Sequence, residues 1–133
     1  MTEFFRIPDG ITNVPRWEEQ CRRIHARATD LVEGKLGVIQ AALDLRNLAS
    51  QSRAKDDSDL AVFQKICAEV LGLPVGPERQ YWAKHALERE DAKIRAVEER
   101  WRLAALAAAE RLVERYRWAL AARQRRRMSG HLV

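Results

Sequence analysis

The fold is decided by residues 77–127, which read PERQYWAKHALEREDAKIRAVEERWRLAALAAAERLVERYRWALAARQRRR. Nothing in this stretch breaks a helix once Pro77, its first residue, has been passed. Alanine, leucine, arginine and glutamate dominate it, and they form helices readily because their side chains lose little rotamer freedom there. The stretch therefore predicts one helix of about fifty residues, roughly 75 Å long at 1.5 Å per residue.

A second long helix is predicted from about residue 15 to residue 52. Pro15 suits its first turn, where the missing N–H of proline has no helical partner to lose. Apolar residues then recur in steps of three and four, which is the spacing of one buried helical face. They are Trp17, Cys21, Ile24, Ala28, Leu31, Val32, Leu36, Ile39, Leu43 and Leu48. Gly34 and Gly37 interrupt the stripe, and mark either a bend or a close approach of another helix.

A short helix is predicted between the two long ones, at about 58–71. Asp57 or Ser58 can cap its start by accepting a backbone N–H. Gly72 stands where a left-handed C-terminal cap belongs, and Pro74 follows it, as such caps favour. The segment LGLPVGPE after this helix is the clearest loop in the chain.

These elements predict an all-α fold, because an amphipathic helix must bury its apolar face against another element. We expect a long antiparallel helical hairpin of residues 15–52 and 77–127, with the short helix at its turn end. Residues 15–127 would form one domain between an apolar arm (1–14) and a flexible tail (128–133). Four apolar residues spaced by sevens in the last helix suggest a coiled-coil seam: Leu87, Ile94, Trp101 and Ala108.

Composition narrows the class of protein. No apolar run is long enough to span a membrane, and the start of the chain lacks signal-peptide features, so we expect a cytoplasmic protein. Cys21 and Cys67 fit this location as free thiols. An excess of arginine over lysine hints at a bacterial genome rich in G and C. The net charge is +5, and the part of the chain after Glu114 holds six arginines and no acid.

Two candidate surfaces follow from this pattern. The first is apolar, because aromatic residues lie in the arm and on several faces of the last helix, where it outruns its partner: Phe4, Phe5, Trp101, Tyr116 and Trp118. The arm either packs on its own helices or docks on a partner. The second surface is the cationic end, which could contact nucleic acid or another anion: Arg115, Arg117, Arg123, Arg125, Arg126 and Arg127.

The middle of the chain resembles the bacterial domain-of-unknown-function 2489 family. The likeness rests on LVEGKLGVIQAALDL (Leu31–Leu45), AVFQKICAEVLGLPVGPERQYW (Ala61–Trp82), LEREDAKI (Leu87–Ile94) and EERWRLAALAAAERL (Glu98–Leu112). Within these segments the family has a glutamate–glycine pair in its first helix, a proline-containing loop before a basic helix, and an alanine-rich segment near the end. The resemblance implies a helical fold and no assigned activity. Many members also carry a membrane-anchoring N-terminal helix, which this sequence lacks.

Two sets of side chains have the types that bind metals. One is a set of cysteines and histidines, as in zinc sites: Cys21, His25, Cys67 and His85. The other is a histidine–carboxylate face on the last helix: His85, Glu88 and Asp91. Only one closely spaced Cys/His pair occurs, and no Glu-x-x-His motif does, so we interpret the cysteines as core residues and the carboxylates as a solvated face.

The sequence also lacks a nucleophile elbow and a glycine-rich phosphate loop. We therefore predict no enzyme activity and no cofactor. Our first hypothesis is a helical interaction or scaffold module that self-associates, most simply as a homodimer, and presents its surfaces to a protein partner. The alternative is a nucleic-acid-associated protein that uses the arginine-rich end of the last helix. The same end would also suit an anionic membrane surface.

Overall fold

A computed structural model describes residues 7–54 and 56–122. They form four α-helices: α1 (Val14–Val32), α2 (Val38–Gln51), α3 (Ser58–Glu69) and α4 (Lys84–Arg115). A 3-10 turn (Pro77–Tyr81) precedes α4, and residues 118–122 are helical again. No strand occurs among these residues, so the prediction of an all-α fold is confirmed.

The helices pack as an up-down-up-down bundle, in which α1 and α3 each lie between α2 and α4. Short turns join α1 to α2 and α2 to α3, and such turns connect antiparallel neighbours. The long connection to α4 also reverses the direction of the chain. Trp101 bonds to Glu69 at the end of α3, whereas Arg115, at the far end of α4, bonds to Asp57 just before α3.

The prediction of one helix over 15–52 is wrong, because residues 33–37 form a turn that separates α1 from α2. Gly34 adopts a φ of +76°, a left-handed conformation that ends a helix. The backbone N–H of Lys35 then closes the turn onto the carbonyl of Asp30 at 2.8 Å. The apolar stripe keeps its spacing through this turn, so periodicity alone did not distinguish a long helix from two helices folded against each other.

The prediction of one helix over 77–127 is also wrong in its bounds. Trp82 and Ala83 have extended backbones, with ψ values of 142° and 144°, so α4 begins only at Lys84. It ends at Arg115, where a turn at residues 116–117 reorients the chain. Residues 123–127 lie outside the described part of the chain.

The short helix is confirmed as α3, with the expected caps. The Asp57 carboxylate accepts the backbone N–H groups of Asp59 and Leu60 at 2.9 and 3.3 Å. Gly72 has a φ of +85°, the left-handed conformation expected beyond the helix end. However, α3 lies alongside α2 and α4 as a full member of the bundle, and not at the turn end of a two-helix hairpin.

The core runs along the bundle between all four helices. Its large buried side chains include Trp17, Ile24, Leu45, Leu60, Phe63, Ile66 and Leu112. Three of the four residues spaced by sevens in α4 face this core: Ala108 is buried, and Ile94 and Trp101 are partly buried against it. That seam therefore joins α4 to its own bundle.

The N-terminal arm lies only partly within the described residues. Ile11 packs against the core, while Ile7 is 43% exposed. Phe4 and Phe5 fall outside the described residues, as does the predicted tail. Among the helices that are described, none combines the length and apolar character needed to cross a membrane.

We expect Trp17→Ala to lower the free energy of unfolding by about 3–5 kcal/mol, as typical for a buried tryptophan. Trp17 is 4% exposed, and its ring stacks on that of Trp118 with centroids 5.3 Å apart. Urea unfolding followed by circular dichroism measures the change. The matched control is Trp82→Ala, at a ring that is 37% exposed, which should cost less than about 1 kcal/mol. Equal losses for the two variants would contradict this account of the core.

Candidate functional site: the projecting end of α4

The first part of α4, residues 84–96, is the least buried part of this helix, and we call it the projecting segment. None of its residues is buried, although Ile94 packs partly against the core, and Val97 is the first buried residue of the helix. At 1.5 Å per residue this segment is about 20 Å long. Among the described residues, the exposed part of α4 is therefore its beginning, whereas the sequence predicted that its end would outrun its partner.

One arginine ties the loop after α3 to this projecting segment. The Arg79 guanidinium donates two hydrogen bonds to the Asp91 carboxylate, at 2.6 and 3.0 Å, and a third to the Pro74 carbonyl at 2.8 Å. The hydrogen bonds from Arg79 hold the pKa of Asp91 below its usual range. Paired forks of this kind fix orientation, so the loop and the start of α4 move as one unit.

Two aromatic side chains stand at the surface beside this brace. Tyr81 is 83% exposed and Trp82 is 37% exposed, and they are consecutive in the chain. Leu71, in the same loop, is also 83% exposed. Large apolar side chains exposed at the surface often mark a binding surface. We call Leu71, Tyr81 and Trp82 the aromatic end.

The projecting segment carries charges of both signs in nearly equal number. Its cations are Lys84, Arg89, Lys93 and Arg95, and its acids are Glu88, Glu90 and Asp91. A surface with interleaved charges can lie against a copy of itself without net repulsion, because each sign finds the other across the pair. The segment is thus electrostatically suited to self-association.

The other end of α4 is held by an Arg–Asp cluster. Arg115 donates to Asp57 at 2.6 and 2.7 Å and to Asp59 at 2.6 Å. Arg111 donates to the second oxygen of Asp59 at 2.7 Å. Asp59 is only 5% exposed, and burial alone would raise its pKa. The hydrogen bonds from the two arginines outweigh that effect and leave the pKa of Asp59 below its usual range.

We expect Asp59→Asn to destabilise the protein by about 2–3 kcal/mol at neutral pH, because charge-assisted hydrogen bonds are lost at a buried site. A carboxyl whose pKa is lowered by folding stabilises the protein above its unfolded pKa. That contribution is lost as the pH falls from about 4 through the lower folded value. Urea unfolding of both proteins should therefore show a difference that shrinks towards pH ~3.

The matched control for this pH dependence is Glu114→Gln. Glu114 is 71% exposed and pairs with Arg117 one helical turn away, a geometry that contributes little. This variant should change stability by less than about 0.5 kcal/mol at either pH. A deficit in Asp59→Asn that stayed constant from neutral to acid pH would contradict the role assigned to the Asp59 carboxylate.

The aromatic residues of the last helix that were predicted to form an interaction surface make contacts within the chain instead. Tyr116 is 2% exposed, and Trp118 stacks on Trp17. Burial raises the pKa of Tyr116. Trp101 is partly buried, and its indole N–H donates to Glu69 at 2.6 Å. These three side chains brace α4 against its neighbours and form no continuous exposed patch.

The predicted cationic end is divided by the structure. Arg115 belongs to the Arg–Asp cluster and does not face an external anion. Arg117 is largely exposed and pairs with Glu114 at 2.6 Å. The remaining predicted contacts lie outside the described residues: Arg123, Arg125, Arg126 and Arg127.

The side chains considered as metal ligands in the sequence are a set of cysteines and histidines and a histidine–carboxylate face. In the part of the chain that the structure describes, no group of three or more His, Cys, Asp or Glu side chains could hold a metal ion. Cys21 and Cys67 are buried free thiols. Burial, followed by the nearby charge of Glu18, raises the pKa of Cys21 to about 12, which suppresses the reactive thiolate. His85 is exposed.

The aromatic end escaped sequence reasoning because Tyr81 and Trp82 were read as apolar positions of one long helix. The loop did contain a sign that the helix begins later than Pro77. Pro74, Gly76 and Pro77 lie close together, and clusters of proline and glycine mark turns and loops. Two aromatic residues directly after a turn have no helical neighbour to pack on.

No known family, no curated protein and no solved structure matches this chain.

Proposed function

We propose that this protein is a non-enzymatic helical scaffold that self-associates as a homodimer through the aromatic end and the projecting segment of α4. The observation that carries the proposal is Tyr81, an aromatic side chain 83% exposed, beside a helical segment with no buried residue. The assembled surface would then serve a protein partner.

The energetics of the projecting segment support a second copy as its occupant. Helical stability in proteins comes mainly from tertiary packing of an amphipathic face, and the projecting segment buries none of its residues within one chain. Leu87 and Ile94 are only partly buried within one chain. A two-fold dimer would place the same patch of each copy against the other, so that the interleaved charges pair and the apolar side chains are covered on both copies.

The test is the oligomeric state of the full chain, measured by sedimentation velocity over a range of concentrations. The double variant Tyr81→Ser and Trp82→Ser should raise the dimer dissociation constant by at least about tenfold, because exposed aromatic residues commonly supply interface hot spots. The matched control is Leu103→Ser, since Leu103 is also 83% exposed on α4 but lies beyond the projecting segment.

A wild-type chain that stays monomeric at high protein concentration would overturn the dimer. An equal effect of the Leu103 variant would move the interface away from the aromatic end. Circular dichroism of each variant confirms that helicity is kept, because none of these three side chains is buried.

We further propose a cytoplasmic location, bacterial origin and membership of the domain-of-unknown-function 2489 family. Two buried free cysteines support the first, because reducing compartments keep thiols unpaired. The arginine-rich composition supports the second. The residue likeness around Glu33–Gly34 and the Leu73–Arg79 loop supports the third.

A further inference from the structure

A surface groove runs between α1 and α2, on the side of the bundle where these helices face solvent. It has two parts that share Gln51, and the larger part has a volume of about 440 Å³. Four arginines and one acid line the two parts together: Arg16, Arg23, Arg27, Arg53 and Asp44. The lining is therefore strongly cationic.

The arginines of α1 form one line along the groove. Arg16, Arg23 and Arg27 are separated by seven and four residues, which places them on one helical face. The line is about 16 Å long at 1.5 Å per residue. Side-chain amides of Gln20 and Gln51 lie along the same groove and add neutral hydrogen-bond donors.

Two of the four arginines have no ion-pair partner among the described residues, and a third has only a long contact. Within residues 7–54 and 56–122, neither Arg16 nor Arg53 makes an ion pair. Arg23 has only a 3.7 Å contact with Glu19, an acid that Arg22 also binds. Of the four arginines, only Arg27 has a close ion-pair partner among the described residues, which is Asp30, one turn further along α1. The groove thus holds exposed guanidinium groups that an anion can reach.

Arg53 has a backbone conformation that is unusual for a residue other than glycine. Arg53 follows the end of α2 with a φ of +58°, in a position where glycine is the ordinary residue. Its guanidinium lies against Gly10, where an added Cβ would stand 2.8 Å from the Arg53 Nη1. The backbone of Arg53 is thus strained, and Gly10 leaves room for its guanidinium group. Strained backbone of this kind is concentrated at functional sites.

We propose that the α1–α2 groove binds the phosphate backbone of a single-stranded nucleic acid. Guanidinium groups bind phosphate oxygens through paired hydrogen bonds, and a row of arginines follows a row of phosphates. Packed helices lie about 8–10 Å apart, so the groove between them accepts one strand and not a duplex.

The lining also indicates how the strand is recognised. Trp17 is the aromatic residue of the lining and is 4% exposed, so no ring is free to stack on bases. Recognition through the backbone alone is independent of base sequence. An acidic peptide fits less well, because apolar anchors are scarce: Leu48 in the larger part is only 8% exposed.

The arginines after Ala122 are a second basic set and lie outside the described residues. Trp17, which lines the groove, stacks on Trp118, four residues before Ala122. The experiment therefore tests the groove and this second basic set with separate variants.

The experiment measures fluorescence anisotropy of a labelled oligothymidylate strand with the full chain, from about 50 to 200 mM salt. The triple variant Arg16→Gln, Arg23→Gln and Arg53→Gly should bind at least about tenfold more weakly at the lowest salt. The slope of log affinity against log salt should shrink by about 2, at roughly 0.7 for each phosphate contact on a single strand.

A charge-matched control removes three exposed cations elsewhere: Arg46→Gln, Lys65→Gln and Arg102→Gln. It should change the affinity by less than about twofold, since non-adjacent charges are largely screened beyond about 10 Å at 0.1 M salt. The single variant Arg53→Gly should weaken binding while raising the midpoint of thermal unfolding, because glycine adopts the positive φ without strain. Weaker binding in a more stable protein cannot come from unfolding.

Several results would overturn the proposal. One is a triple variant that binds as well as the charge-matched control, or a wild-type chain that does not bind the strand at low salt. Another is loss of binding only in Arg125→Gln, Arg126→Gln and Arg127→Gln, which would assign the activity to the end of the chain. Equal competition by polyglutamate or by anionic vesicles would show a general anion surface instead.

Discussion

Packing of the last helix against the first is the contact on which the rest of the structure depends. Trp17 and Trp118 stack across this contact, and Tyr116 is buried beside it. The contact closes the bundle, because α1 and α4 then each have two neighbours. Without it, α4 would be an amphipathic rod in water, and rods of that kind are held mainly by tertiary packing.

Closure also decides which polar side chains remain free for other work. At the end of α4 next to this contact, Arg111 and Arg115 bind the acids at the start of α3. These charged side chains therefore stabilise the fold. The opposite end of α4 is tied to the preceding loop by the Arg79–Asp91 brace, and the aromatic residues beside it stay at the surface. The two ends of α4 differ because only one of them lies within the packed bundle. The end at Arg111 and Arg115 stabilises the fold, and the end beside the Arg79–Asp91 brace is the proposed binding end.

The sequence predicted local features well where one residue type has a single conformational advantage. Asp57 caps α3 and Gly72 takes the left-handed conformation, as expected, and most of the apolar stripe of α1 and α2 is buried, although Val32 is exposed. The predictions were wrong where the same spacing of apolar residues fits both one long helix and two helices joined by a turn. Gly34 ends α1 in a tight turn, although the sequence predicted either a bend or a close helix approach within one helix, because the stripe continues on both sides.

The all-helical class, the helix caps and the cationic balance were determined by the sequence alone, because they depend on neighbours within a few residues of each other. Only the tertiary structure decided which arginines and aromatic residues face water. Arg115 finds its acid 58 positions away, at Asp57, and no local pattern records such a distance. The same holds for Arg53 and Gly10, which meet only because α2 folds back along α1. Burial of an apolar face is required by composition, but the element that covers it is chosen by how the helices fit together.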